Sequence, residues 1–347
     1  MQPVDWLAAP GLADLVIDAR SPAEYADDHL PGAVNWWVLD NDERRTVGTL
    51  YKQVSPLQAR QVGAAMVARN IATHLEREMP GKSRDWRPMV YCWRGGQRSG
   101  SLAWFLGQIG FRATQLAGGY KAFRARVLAD LSTLSVPLDF RVLAARTGSG
   151  KTRLLHALAE AGAQVLDLEA LACHRGSVLG GLPDRPQPTQ KRFDTLVWQA
   201  LRSFDPRRPV FVESESARIG RLTVPETLLR RMRERGRIVR VRMDDSARLQ
   251  LLLQDYGHFA STPESFCTLL DALVELRGKA TVARWQAQAR AGDWPGVFGE
   301  LMSRHYDPLY TSSLRKSYGC LDALPLVELG DGSPETLRAV AQSLVRA

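Results

Sequence analysis

The chain of 347 residues is poor in residues that cross-link a fold or ligate metal: its four cysteines, Cys92, Cys173, Cys267 and Cys320, lie far apart, with no C-x-x-C pair and no histidine at ligand spacing. Neither a disulfide framework nor a zinc site is supported, and a reducing compartment fits. No run approaches the ~18 uninterrupted apolar residues of a membrane helix. The opening MQPVDWLAAPGLAD carries Asp5 and Asp14 and no basic residue before its apolar part, unlike a secretory leader. The expectation is a soluble, cytoplasmic protein with no membrane partner. Acidic residues are the minority, 37 Asp and Glu against 46 Lys and Arg, leaving a charge of +9 and a pI near 9.6. That balance favours a polyanionic partner such as nucleic acid or a phosphorylated substrate, although no purely basic tail is present. With 45% hydrophobic content, 19 Pro and 28 Gly, the chain is neither disordered nor a low-complexity polymer.

At roughly 150 residues per domain, the length predicts two domains, each able to bury its own core. Short apolar runs at 15–18, 33–36, 89–92 and 114–116 alternate with helical stretches at 56–69 and 99–109. Such alternation predicts a parallel sheet with helices on its faces. LSTLSVPLD, residues 131–139, reads as a connector, after which strands are expected at 141–145, 165–168, 210–213 and 238–243, with a helix at 151–161. From Ser246 onward the pattern turns helical. The expected fold class is therefore α/β: an N-terminal parallel-sheet domain over 1–130, then a second α/β domain with a helical C-terminal extension over 131–347.

Within the first domain, Met89-Val90-Tyr91-Cys92-Trp93-Arg94-Gly95-Gly96-Gln97-Arg98-Ser99 puts a cysteine at the end of a buried strand and opens a helix a few residues later. Backbone N–H groups of a glycine turn, the positive end of the helix and two arginines are expected to converge on the sulfur, each favouring thiolate. Cys92 is then a nucleophile and Arg98 an anion clamp. Two chemistries use such a loop. The thiolate can carry a chalcogen, or it can attack phosphorus while Arg98 holds the phosphate oxygens, and the five-residue spacing from Cys92 to Arg98 leaves both open.

The second domain opens with an apolar strand followed by Ala145-Arg146-Thr147-Gly148-Ser149-Gly150-Lys151-Thr152. Successive N–H groups of Thr147, Gly148, Ser149, Gly150, Lys151 and Thr152 can cradle a diphosphate, with Lys151 a point charge and Thr152 the usual Mg²⁺ ligand of such a phosphate loop. Ala145 replaces the first glycine of the pattern. The loop by itself implies a diphosphate and not ATP hydrolysis; whether a metal is used is unknown from sequence. Glu213, after an apolar run, stands where nucleotide-hydrolysing enzymes place a metal-holding acid, and Asp167 and Glu169 are expected to end the preceding strand. Between Arg221 and Arg248, nine arginines face four acids. They suit either RNA phosphates or a solvated helix followed by an edge strand. Trp285, Trp294, His305, Tyr306 and Tyr310 suit base stacking, or core packing at helical spacing.

Two resemblances narrow these readings. Asp18-Ala19-Arg20-Ser21-Pro22-Ala23-Glu24-Tyr25, His29-Leu30-Pro31-Gly32-Ala33 and Gly118-Gly119-Tyr120 resemble the rhodanese pattern over about residues 10–125, which implies a rhodanese-like N-terminal domain and tilts Cys92 toward chalcogen chemistry. Nearly the whole chain resembles the bacterial tRNA 2-selenouridine synthases. The resemblance rests on Val47 to Lys52, Val90 to Gly96, Thr147 to Thr152, Asp167-Leu168-Glu169, His174 to Ser177, Val212 to Ser216, Arg218-Ile219-Gly220 and His305 to Tyr310. It implies a transferase that acts on tRNA with a wobble 2-thiouridine. Such an enzyme geranylates the sulfur from geranyl diphosphate and then replaces the S-geranyl group with selenium from selenophosphate, which selenophosphate synthetase would deliver. The resemblance makes the phosphate loop the receptor for the prenyl diphosphate and Cys92 the selenium-handling thiolate, an S-selanylcysteine. No tightly bound cofactor is expected. The alternative is a cysteine-dependent phosphatase or sulfurtransferase with a nucleotide-binding domain.

Overall fold

The computed structural model describes residues 3–4, 13–318, 324 and 326–346; Cys320 and most of segment 1–14 lie outside them. The chain divides into two compact units, Met1–Asp130 with Thr189–Thr195, and Leu131–Pro188 with Leu196–Ala347.

In the first unit the elements run β1 (Pro3–Val4), β2 (Leu15–Asp18), α1 (Pro22–Asp27), β3 (Ala33–Asn35), α2 (Asn41–Gln53), α3 (Pro56–Glu78), β4 (Pro88–Tyr91), α4 (Gln97–Ile109), β5 (Thr114–Leu116) and α5 (Gly119–Leu131). The five strands are parallel, in the order β1-β5-β4-β2-β3. β4 lies inside the sheet and is buried on both faces, hence its unbroken apolar spelling. Helix α4 buries Ser99, Leu102, Ala103 and Leu106, the three-and-four spacing of one helical face, against Ile17, Val90 and Ile71. Ser55 caps α3 through the N–H groups of Leu57 and Gln58, with Pro56 at the first helical position, and the helix runs on to Glu78, past the predicted end at 69. Hydrophobic periodicity does not reveal α2; it is a polar helix that starts on a capping box between Asp40 and Glu43.

In the second unit the elements are β6 (Phe140–Ala144), α6 (Lys151–Glu160), β7 (Gln164–Leu166), α7 (Leu168–Ala172), α8 (Gln190–Ser203, its residues up to Thr195 counted with the first unit), β8 (Val210–Glu213), β9 (Arg218–Ile219), β10 (Leu222–Thr223), α9 (Glu226–Arg235) and β11 (Arg237–Arg242). They are followed by α10 (Asp245–Asp255), α11 (Pro263–Asp271), α12 (Val274–Arg277), α13 (Lys279–Arg290), α14 (Trp294–Glu300), a π-helical turn Leu301–Tyr306, α15 (Asp307–Tyr318), β12 (Leu326–Glu328) and α16 (Pro334–Arg346). A second parallel sheet has the order β12-β11-β6-β8-β7. β11 is therefore an interior strand and not an edge strand, because the three-residue β12 covers its far side. The predicted strand at 165–168 ends at Leu166, since Asp167 turns to cap α7 through the N–H of Ala170. The α10–α14 region closes its own core around Phe266, Leu270, Trp285, Phe298 and Leu301. No helix among the described residues is long and apolar enough to cross a membrane.

Candidate active sites

Strand β4 delivers Cys92 to the turn that starts α4, and the side chain is only 3% exposed. Its Sγ accepts from the Gly96 N–H at 3.3 Å and from the Ser99 hydroxyl at 3.1 Å, at the positive end of a thirteen-residue helix. The Gln115 amide donates to Ser99 Oγ at 2.7 Å and to the Gly95 carbonyl at 2.7 Å, fixing both the serine and the turn. From the other side, the Tyr120 N–H donates to the Cys92 carbonyl and the Lys121 N–H to that of Trp93, each at 2.9 Å. This approach requires glycine: a Cβ on Gly119, whose φ is +59°, would lie 2.2 Å from the Cys92 carbonyl oxygen.

The arginines do not converge on the sulfur as expected. Arg98 points to Glu24, with 2.7 Å between its Nη1 and Oε2, and Arg44 approaches the same carboxylate at 3.8 Å. Glu24 accepts from the Ser21 N–H as well, so it is a fixed counter-charge that a partly buried guanidinium adopts in preference to standing unpaired near a thiol. Burial pushes the Glu24 carboxyl upward, but Arg98 outweighs it and holds the group below the ordinary glutamate value. Arg94 is exposed and has no ion-pair partner among the described residues. Beneath the loop, Asp18 pairs with the buried Arg20 and accepts from the Tyr91 hydroxyl at 2.7 Å, while Tyr120 donates to the buried Asp28 at 2.9 Å. Sequence reasoning missed Gln115 and Glu24 as partners. Glu24 stood in the rhodanese-like run, whereas Gln115 carried no signal.

In the second unit, β6 ends at Ala144 and the chain turns through Gly148 (φ +77°) and Gly150 (φ +71°) into α6. The glycines bring the turn close to its surroundings, a Cβ on Gly148 lying 2.9 Å from Leu252. The Lys151 ammonium donates to the Ala145 carbonyl at 2.8 Å and stands 4.8 Å from the Tyr310 ring centre. Burial lowers its pKa, but Tyr310 and the carboxylates of Glu169, Glu215 and Glu213 outweigh that effect and hold it above the usual lysine value. The Tyr310 hydroxyl accepts from the Ala145 N–H at 3.1 Å, so the residue in place of the first glycine is anchored rather than strained. Thr152 donates to Glu169 at 3.2 Å, and Glu169 Oε1 would meet a Cβ on Gly176 at 2.8 Å.

Glu213 is 2% exposed; its Oε1 accepts from the Glu169 N–H, while its Oε2 is buried without a partner. Burial pushes Glu213 well above the ordinary range, and burial with the nearby charge of Glu169 pushes Glu215 up to about 8. Among the described residues no three His, Cys, Asp or Glu side chains form a metal-holding group. A divalent cation would fit only if Thr152 and Glu169 shared it with the oxygens of a bound diphosphate.

The basic stretch is divided between interior and surface. Arg248 is fully buried, donating to Asp307, Asp245 and the Thr147 carbonyl of the phosphate loop. Arg231 holds the Leu138 carbonyl, and Arg221 holds that of Gln187. Arg230, Arg235, Arg237 and Arg242 are exposed, the last paired with Glu328. Of the aromatic candidates, Trp285, Trp294 and Tyr306 belong to the helical core. His305 is buried against Arg277, where burial pushes its pKa down to about 4.

Comparison with known proteins gives two family matches: a rhodanese-like domain over residues 4–126, and a domain described as "tRNA 2-selenouridine synthase AAA domain" over residues 138–269. Curated relatives named tRNA 2-selenouridine synthase include one from Alcanivorax borkumensis, 33% identical over 341 residues, covering 88% of this chain and 91% of the relative. One from Shewanella denitrificans is 31% identical over 338 residues, covering 86% and 88%. A third, from Nitrosomonas europaea, is 34% identical over 258 residues, covering 73% of this chain and 66% of the relative.

Proposed function

The chain belongs to the tRNA 2-selenouridine synthase family, a family of enzymes, and from that premise we propose that it converts wobble 2-thiouridine of tRNA to 2-selenouridine through S-geranyl-2-thiouridine. In the first step the thiouridine sulfur attacks C1 of geranyl diphosphate, the C1–O bond breaks and pyrophosphate leaves with its electron pair. In this reading the loop from Thr147 to Thr152 and the Lys151 ammonium, which rests on the Ala145 carbonyl in the free loop, take up that growing negative charge. In the second step the selenium of selenophosphate, already at the selenide level, bonds to C2 while water takes the phosphoryl group from the broken P–Se bond as phosphate, and the C2–S bond breaks as the geranyl thiolate departs. Cys92 is the thiolate we assign to handling selenium in this step.

The observation that carries the reading is the sulfur of Cys92, held between an amide and a hydroxyl donor in a chain that also has a glycine turn opening on Lys151-Thr152. The engagement of Arg98 with Glu24 favours a chalcogen carrier over a phosphatase, whose arginine must be free to clamp phosphate. We place the enzyme in the cytoplasm, with no resident organic cofactor and with selenophosphate received from its synthetase. Mass spectrometry of wobble nucleosides after incubation of thiolated tRNA with geranyl diphosphate and selenophosphate tests the proposal. Selenouridine, with S-geranyl-2-thiouridine as its precursor, is the expected result, and release of inorganic phosphate from an aryl phosphate without tRNA turnover would overturn it.

A further inference from the structure

The residue after Cys92 is a tryptophan that the sheet core does not take in. Trp93 is 39% exposed, although Cys92 and Tyr91 beside it are buried. Its position is nonetheless fixed. Its carbonyl accepts from the Lys121 N–H, and its indole packs on the Tyr120 ring with 5.4 Å between centres. Tyr120 is in turn immobilised: the Arg20 guanidinium lies 3.9 Å from its ring centre and its hydroxyl donates to Asp28. Arg20, Tyr120 and Trp93 thus form a chain of contacts that ends on a partly exposed ring one residue from the nucleophile. Next comes Arg94, exposed and without an ion-pair partner among the described residues, while the other arginine of the loop is neutralised by Glu24.

An apolar ring held rigid and partly exposed costs solvation, and a rigid aromatic loses little entropy when a second ring covers it. Trp93 adjoins Cys92 in the chain, so a group delivered to the sulfur comes to the loop that carries this ring. In the reaction proposed above that group is the base of an unpaired nucleotide, which has to leave its neighbours before C2 can meet the loop. We infer that Trp93 is the stacking platform for the wobble base and that Arg94 holds a phosphate next to that base. The inference rests on the proposed function for its substrate, but binding tests it without turnover. A second exposed tryptophan, Trp104 on α4, lies outside the loop and serves as the control.

The experiment uses the full chain and its Trp93→Ala, Trp93→Phe, Arg94→Ala and Trp104→Ala variants. Affinity is titrated for a thiolated tRNA anticodon stem-loop and for its S-geranyl form, kcat and KM are measured for selenation, and the rate of Cys92 alkylation by iodoacetamide is followed by peptide mass spectrometry. Loss of a base–aromatic stack lowers affinity roughly 5- to 150-fold. Trp93→Ala is expected to weaken both stem-loops by that factor and to raise KM with them. Trp93→Phe should recover most of the loss, and Trp104→Ala should match wild type. Arg94→Ala is expected to flatten the salt dependence by about 0.7 in the slope of log K against log salt. Cys92 alkylation stays at the wild-type rate throughout. Equal affinity of Trp93→Ala and wild type overturns the inference, as does a parallel fall in alkylation, which would make Trp93 a support of the loop. A loss confined to the geranylated stem-loop also overturns it, because the ring would then hold the prenyl chain. Wild-type binding without any selenouridine would instead sink the proposed function and leave the stacking result to stand on its own.

Discussion

The Ser99 hydroxyl accepts from Gln115 and has two acceptors in reach, the Cys92 sulfur at 3.1 Å and the Gly96 carbonyl at 3.2 Å. A hydrogen bond to an ionised acceptor contributes about 1.5–3 kcal/mol. Ser99→Ala is therefore expected to slow alkylation of Cys92 roughly tenfold at neutral pH without a change in far-UV circular dichroism; an unchanged rate would leave the Gly96 amide as the sole donor that matters. Glu215 yields a prediction of another kind. It titrates near 4.5 when unfolded and near 8 when folded, so between those values the folded chain keeps a proton that the unfolded chain has released. Its contribution to stability accordingly declines as pH rises from about 4.5 to about 8, by up to a few kcal/mol. Glu213 and Glu169 shift in the same direction. Glu215→Gln should raise the thermal midpoint at pH 8 relative to wild type, close the gap at pH 5 and flatten the profile between; melting curves of both proteins across that range provide the measurement.

At the scale of elements, each candidate site is a strand, a glycine turn and a helix start, and this local succession made Cys92 and the run from Thr147 to Thr152 readable in the sequence. The turns are tight for steric reasons that differ from one glycine to the next. Gly119→Ala would drive a Cβ into the Cys92 carbonyl at a positive φ, whereas Gly96 has φ −96° and a Cβ placed there would find nothing within 4 Å. The former change is expected to cost roughly 2–4 kcal/mol and most of the selenation activity, the latter under about 1 kcal/mol, as chemical denaturation would measure. What stayed hidden joins residues far apart in the chain by single side chains. Arg98 meets Glu24 across 74 positions, Arg146 meets Asp307 across 161, and Tyr310 closes on Ala145 across 165. No periodicity marks such closures. Composition counts charges without locating their partners, and so could not single out Arg248, fully buried beneath the phosphate loop, from the exposed arginines of the same stretch. The interior place of β11 was missed for a related reason, since a three-residue strand such as β12 falls below any pattern length.

At the scale of the whole molecule, the two candidate sites stand on separate compact units, and the proposed steps should separate by mutation. Cys92→Ala is expected to accumulate tRNA bearing S-geranyl-2-thiouridine. Lys151→Ala should leave 2-thiouridine largely unmodified, yet selenate tRNA that has been geranylated beforehand, in proportion to the tRNA affinity that remains. Nucleoside analysis of both variants on both substrates decides the matter, and failure of the lysine variant on geranylated tRNA with binding intact would assign the phosphate loop to the selenium step. The pairing of Arg98 with Glu24 bears on how such an enzyme behaves among competing solutes. An anion entering the Cys92 loop meets no spare positive charge from Arg98 and must displace a carboxylate already in place to gain one. Inhibition of the proposed selenium step by phosphate or sulfate should therefore be relieved by Arg94→Ala, the arginine of this loop without an ion-pair partner among the described residues.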